Sequence, residues 1–163
     1  MKRNPYLNYT RLPMENAYNV RELGGYATKK GSITIHHQFL RSENLTDITE
    51  EDKMFLIEYG LSGIIDLRSR EEALIYPNPF RGNNAVKYIN CPLITDGILD
   101  LRAVKEVGFD PGEFYVKLVE YKEMLYKIFH FILDNIDGCL LFHCQAGKDR
   151  TGVLAMILMR SEE

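Results

Sequence analysis

Gly138-Cys139-Leu140-Leu141-Phe142-His143-Cys144-Gln145-Ala146-Gly147-Lys148-Asp149-Arg150-Thr151-Gly152 is the stretch on which the fold turns. Its first five residues are nearly all apolar, as in a strand covered on both faces. Residues 152–159 have helical composition, so the polar residues between form a loop that joins a buried strand to a helix. That order indicates an α/β domain. At the start of a helix the first backbone N–H groups lack an intrahelical partner, and the helix dipole adds partial positive charge. Such a loop suits an anion, and a tetrahedral dianion such as phosphate fits it.

Working outward, Gly63-Ile64-Ile65-Asp66-Leu67 reads as a short buried strand. Val86-Lys87-Tyr88-Ile89-Asn90 alternates apolar and polar residues before Pro92 and reads as another. Residues 38–41 form a further candidate strand. Lys29-Lys30-Gly31 supplies a turn for a hairpin between residues 26–28 and 32–35, in which Ile33 and Ile35 alternate with polar neighbours. Thr49 is an N-cap for a helix through Glu58, with Glu50, Glu51 and Asp52 favouring its N-terminus and Gly60 as its stop. Asp110-Pro111-Gly112-Glu113 is a helix start. Phe114, Leu118, Tyr121, Leu125, Ile128 and Ile132 recur on one stripe and predict a single helix ending near Asp134. Residues 1–20 read as an irregular, mostly polar arm. With no repeat or linker, residues 1–163 form one domain, an α/β unit with a small, mostly parallel central sheet flanked by helices.

The chain has 163 residues, 20 Lys and Arg against 23 Asp and Glu, and a net charge of −3. That balance excludes a general nucleic-acid binder, which needs a clustered basic excess. The longest apolar run, residues 153–159, falls far short of the roughly 20 residues of a membrane span. No apolar signal region follows Met1, so the expected location is the cytoplasm. Three cysteines, Cys91, Cys139 and Cys144, suit reduced thiols better than a disulfide framework.

The loop carries a consistent chemistry. Cys144 lies at its start, where amide N–H groups and the helix field stabilise thiolate over thiol. Arg150 can fold back and present a planar fork to two phosphate oxygens. Gly147 and Gly152 permit tight turning and close approach. Thr151 can donate a hydroxyl hydrogen bond to the thiolate or to the leaving group, and His143 orients the loop. Gln145, Ala146, Gly147 and Lys148 complete the anion cradle, and the Lys148 cation favours a multiply phosphorylated or acidic substrate. A buried core cysteine is the simpler reading of Cys144, set aside because Arg150 and both glycines stand in place. Cys139, His143 and Cys144 lack a fourth ligand at metal spacing, so no metal site is expected. A nucleotide loop would need glycine where Phe142 stands and Ser or Thr where Asp149 stands. Cys91 and Cys139 read as structural. Asp66 and Arg68 are either an ion pair at a strand end or a wall of the phosphate pocket.

His143 through Gly152 resembles the HCxxGxxR[ST]G signature of cysteine-dependent protein tyrosine phosphatases. With Asn19-Val20-Arg21-Glu22-Leu23-Gly24-Gly25 and Ile65-Asp66-Leu67-Arg68-Ser69, it resembles more narrowly the bacterial tyrosine phosphatases related to dual-specificity and phosphoinositide phosphatases. Val20 and Glu22 depart conservatively from that family's NFRDLGG pattern. The resemblance implies attack by Cys144 on phosphorus, a phosphocysteine intermediate and its hydrolysis by water, with Arg150 and the loop amides on the equatorial oxygens. It implies no cofactor or metal, and a phosphorylated protein or other phosphoester as partner. The general acid implied by dual-specificity relatives is Asp96, with Asp149 as its rival and Asp66, Asp100 and Asp110 as further alternatives. The oligomeric state stays open, and so does specificity among phosphotyrosine, dual and lipid substrates.

Two other readings compete. A non-catalytic phosphate-binding module is suggested by the apparently shortened C-terminus: the chain stops at Glu163, about one short helix past the loop. A sulfurtransferase or arsenate reductase would also cradle an oxyanion in a cysteine loop. Thr151-Gly152 and the Asp96 loop favour the phosphatase.

Overall fold

A computed structural model describes residues 10–93 and 111–161. Among the described residues five strands form one sheet: β1 (Arg21–Glu22), β2 (Phe39–Ser42), β3 (Leu61–Asp66), β4 (Lys87–Asn90) and β5 (Cys139–His143), in the order β1-β2-β5-β3-β4. Among these five described strands only the β1–β2 pair is antiparallel; β2, β5, β3 and β4 run parallel. The sheet is therefore mostly parallel and flanked by helices, the architecture its apolar strands indicate. β5 is buried at every residue because β2 and β3 pair with its two edges and apolar layers cover both faces.

The helices are α1 (Glu50–Glu58), α2 (Arg70–Ile75), α3 (Pro111–Glu120), α4 (Lys122–Leu133) and α5 (Asp149–Ser161). Leu118 of α3, Ile128 and Ile132 of α4 and Leu154 of α5 pack on one face with Leu140 and Phe142. Leu56 of α1, Phe80 and Val86 cover the other with Leu40, Ile64 and Leu141. Alternate residues of β5 thus feed opposite clusters, as a strand between two layers requires.

Thr49 caps α1 as its sequence predicts, in a capping box with Asp52. The Asp52 carboxylate is also buried and accepts the N–H groups of Glu15 and Asn16 at 2.8 and 3.0 Å. These two bonds help anchor the N-terminal segment, which is irregular but no loose arm in its described part. Leu12, Ala17 and Val20 are buried in the second cluster, and each fully covered aliphatic of Leu or Val size contributes about 1.5–3 kcal/mol.

Two other expectations change. The single stripe from Phe114 to Ile132 is divided: Tyr121 has φ −76° and ψ 66°, outside helical space, and separates α3 from α4. Spacing alone does not reveal the break, because Leu118 before it and Ile128 and Ile132 after it still enter one cluster. The hairpin forms, with Ala27 bridged to Ile33, but its buried residue is Thr34, while Ile33 and Ile35 are exposed. The Thr34 hydroxyl donates to the Leu23 carbonyl at 2.6 Å and accepts the Tyr26 N–H at 3.0 Å, so polar bonding rather than apolar burial sets the face. Among the described residues no helix is long and apolar enough to cross a membrane.

Candidate active site

The C-terminal ends of three parallel strands lie level: Ser42 of β2 and Asp66 of β3 are both in register with His143 of β5. Open α/β sheets bind ligands beyond this edge. Cys144 follows immediately and is 3% exposed.

The loop from Cys144 to α5 is held from outside. The Gln145 carbonyl accepts the Asn44 N–H at 3.0 Å. The Ala146 carbonyl accepts Asn19 Nδ2 at 3.1 Å, and the Gly147 carbonyl accepts Arg41 Nη2 at 2.8 Å. In a trans peptide plane the carbonyl and the following N–H point in opposite directions. Three carbonyls drawn outward therefore turn the N–H groups of Ala146, Gly147 and Lys148 inward, an arrangement that accepts an anion. Asn19 is itself fixed, because its N–H donates to Glu43 Oε1 at 3.0 Å and its Oδ1 accepts from Arg21 Nη1. Gly147 has φ 65°, the left-handed region that glycine enters without strain.

Arg150 sits in the first turn of α5 and is 8% exposed. Its Nη1 and Nη2 donate to the two carboxylate oxygens of Glu72 at 2.7 and 3.0 Å. Burial opposes the Arg150 charge, but the Glu72 bonds and charge outweigh it and raise the pKa further. Burial likewise opposes the Glu72 charge, and bonds from Arg150 and Ser69 hold its carboxyl below the usual range. Glu72 also completes the capping box of Ser69 on α2. The clamp uses two of the five guanidinium donors and leaves three.

His143 is fully buried, and burial lowers its pKa, so the imidazole is neutral at pH 7. Nδ1 lies 3.1 Å from the Cys144 carbonyl, which can only accept, so Nδ1 carries the proton. Nε2 then accepts from Asn78 Nδ2 at 3.0 Å; the Asn78 oxygen is occupied by the Phe80 N–H. Both ring nitrogens are engaged in orienting the start of the loop.

Arg68 does not join the site. It is fully buried, its Nε and Nη2 donate to Asp66 at 2.9 and 2.7 Å, and Nη1 donates to the Tyr76 carbonyl. Its expected part in phosphate binding is therefore replaced by the ion-pair reading, because its guanidinium is closed off from solvent and three of its five N–H groups are bonded within the protein. Burial raises the Asp66 pKa, but the Arg68 bonds and the neighbouring charges overcome it and hold Asp66 below the usual carboxylate range. With Tyr88 also donating to it, Asp66 is no proton donor. Burial pushes the Cys91 thiol up to about 11 and the Cys139 thiol up to about 12, which makes both inert at neutral pH.

Asp149, at the first position of α5, accepts a hydrogen bond from the Tyr115 hydroxyl at 2.6 Å. The Thr151 hydroxyl is buried without a partner among the described residues. Gln145, Ala146 and Lys148 are exposed on the loop. Asp96 and Asp100 lie outside the described residues, as does Asp110. The structure thus brings together Cys144, Gly147, Arg150, Thr151 and His143, gives a tie to the loop to Asn19, which the sequence marked only as the first residue of the 19–25 motif, and adds Arg41, Glu72 and Asn78, which the sequence reading did not single out. Ser69-Arg70-Glu71-Glu72 is a capping-box pattern that marks α2. Nothing local marks Asn78.

The tyrosine phosphatase family model matches residues 12–161, a span that includes the loop and every side chain that ties it down. The chain belongs to the tyrosine phosphatase family. A tyrosine-protein phosphatase of Nostoc commune is 32% identical over 123 residues, 74% of this chain and 42% of that protein. A Cupriavidus necator relative is 26% identical over 155 residues, 91% of this chain and 56% of its own length. The chain therefore spans about half the length of the curated relatives it matches.

For this member of the family the Asn19 tie is testable. Asn19→Ala frees the Ala146 carbonyl, and the lost bond of about 1–1.5 kcal/mol relaxes the inward N–H orientation. The expected result is a roughly tenfold higher dissociation constant for orthovanadate with only a small change in unfolding midpoint. An unchanged vanadate constant would show that the loop holds its shape without Asn19.

Proposed function

We propose that this tyrosine phosphatase family chain is a single domain that hydrolyses phosphomonoesters through a phosphocysteine, with phosphotyrosine as its substrate class. The observation that carries the reading is the set of three outward-tied carbonyls, which leaves the Ala146, Gly147 and Lys148 amides for phosphate oxygens beside Cys144. Cys144 Sγ attacks phosphorus in line while the ester P–O bond breaks and the leaving oxygen takes a proton. Water then attacks phosphorus, the P–S bond breaks, and inorganic phosphate leaves with the thiolate restored. The loop amides, Gln145 to Lys148, and the remaining N–H groups of Arg150 hold the equatorial oxygens in both steps. The unpartnered Thr151 hydroxyl supplies a hydrogen bond to sulfur as it becomes the leaving group.

Asp96 is the proposed acid. Asp149 is its rival, but already serves Tyr115 as an acceptor. The test is a series of aryl phosphates with graded leaving groups, followed by phosphate release over many turnovers. Asp96→Asn is expected to slow poor leaving groups about 10²-fold or more while sparing activated ones. If Asp149→Asn alone shows that dependence, the acid is inside the loop. Binding of phosphate with no release of phenol would replace the enzyme with a phosphate-binding module, whereas a single equivalent of phenol without turnover would mean that the phosphocysteine forms and is not hydrolysed. A panel of phosphopeptides and phosphoinositides separates tyrosine from dual and lipid specificity. Cytoplasmic location is proposed on the same footing.

A further inference from the structure

Three arginines stand in one row at the edge of the sheet. Arg21 is directly opposite Arg41 in the β1–β2 pairing, and Arg11 is directly opposite Arg21 across an isolated antiparallel bridge. Opposed residues project from the same face, so the three side chains leave the side of the sheet that also carries Phe39 and α5. Like charges set opposite one another oppose pairing. Burial and then the neighbouring Arg21 charge lower the Arg41 pKa, which expresses that cost.

The chain has 23 acidic residues, yet no described carboxylate forms a salt bridge with any member of the row. Arg41 Nε is buried and has no partner among the described residues. The inner end of the row touches the catalytic loop through Arg41 Nη2 and the Gly147 carbonyl, 2.8 Å apart. The outer end, Arg11, is exposed. Strands are spaced about 4.8 Å apart, so the row runs roughly 10 Å outward from the loop.

We infer that Arg41, Arg21 and Arg11 form a subsite for a second phosphate on a peptide whose phosphotyrosine lies over Cys144. The row supplies charge-assisted donors to a dianion and relieves the repulsion among its own members. Its outer end is exposed and its length suits an extended chain, where residues two apart are about 7 Å from each other. The inference rests on the phosphatase reading and adds to it a preference for doubly phosphorylated peptides.

The test compares a phosphotyrosine peptide with the same peptide carrying phosphoserine two residues away. The doubly phosphorylated peptide is expected to have about a fivefold lower KM, the scale of a partly exposed charge contact, with kcat unchanged. Arg11→Gln removes most of that advantage and leaves the singly phosphorylated peptide within about twofold of the parent. Lys87→Gln, on the far edge strand, keeps it. Equal KM values in the parent, an equal loss on both peptides in Arg11→Gln, or the same loss in Lys87→Gln would overturn the subsite. A gain confined to a bis-phosphorylated inositol headgroup would overturn the peptide assignment. If neither peptide is hydrolysed, the catalytic reading fails, and fluorescence anisotropy with Cys144→Ser protein still decides the row: tighter binding of the doubly phosphorylated peptide, lost in Arg11→Gln, supports it, and equal binding removes it.

Discussion

Cys144→Ser protein is expected to lose turnover of an aryl phosphate by at least roughly 10⁴-fold while keeping the unfolding midpoint of the parent to within a few degrees. A serine hydroxyl is a far weaker nucleophile than a thiolate unless a neighbouring base removes its proton. His143 cannot be that base, because its Nδ1 proton is committed to the Cys144 carbonyl and its Nε2 to Asn78. The fold, by contrast, loses little. One small buried side chain is exchanged for another of similar shape, at about 1 kcal/mol. Steady-state release of phenol and a thermal melt measure the two effects. Hydrolysis at the parental rate would remove Cys144 from the chemistry.

Gly147→Ala is the second large effect. At φ 65° an alanine costs about 1–2 kcal/mol. The added Cβ also meets the Ser42 carbonyl oxygen at 2.4 Å, the Ser42 carbonyl carbon at 2.5 Å and the Glu43 nitrogen at 2.6 Å. These are backbone atoms at the end of β2, where Ser42 is in register with His143, so they cannot swing aside as a long side chain would. The loop must move instead, and a displacement near 1 Å lowers turnover about 10²-fold. Gly31→Ala is the control: Gly31 has φ 79° but no atom within 4 Å of the new Cβ. It is expected to carry the conformational cost alone and to keep parental kcat/KM. Equal activity loss in the two variants would mean that the collision at β2 is not what places Gly147.

Much of the architecture is readable from neighbours in the chain. Thr49 and Asp52 cap α1 because capping is a matter of three or four residues. The apolar run at 139–142 becomes β5 because its residues feed both faces of a sheet. Periodicity fails where the signal is not apolar. Thr34 is buried by two hydrogen bonds while Ile33 and Ile35 face outward, and Tyr121 interrupts a stripe whose spacing continues through it.

For the site, the divide follows distance along the chain. Sequence by itself determined the strand, the loop and the helix that bear Cys144 and Arg150, because those residues are contiguous and their geometry is local. Tertiary structure decided what holds them. Asn19 reaches Ala146 from 127 positions away, Glu72 grips Arg150 from 78, and Asn78 fixes His143 from 65. It also decided that Arg68 turns inward to Asp66 and that Arg11, Arg21 and Arg41 align. A side chain's partner depends on which strands become neighbours, and that follows from the packing of the whole sheet.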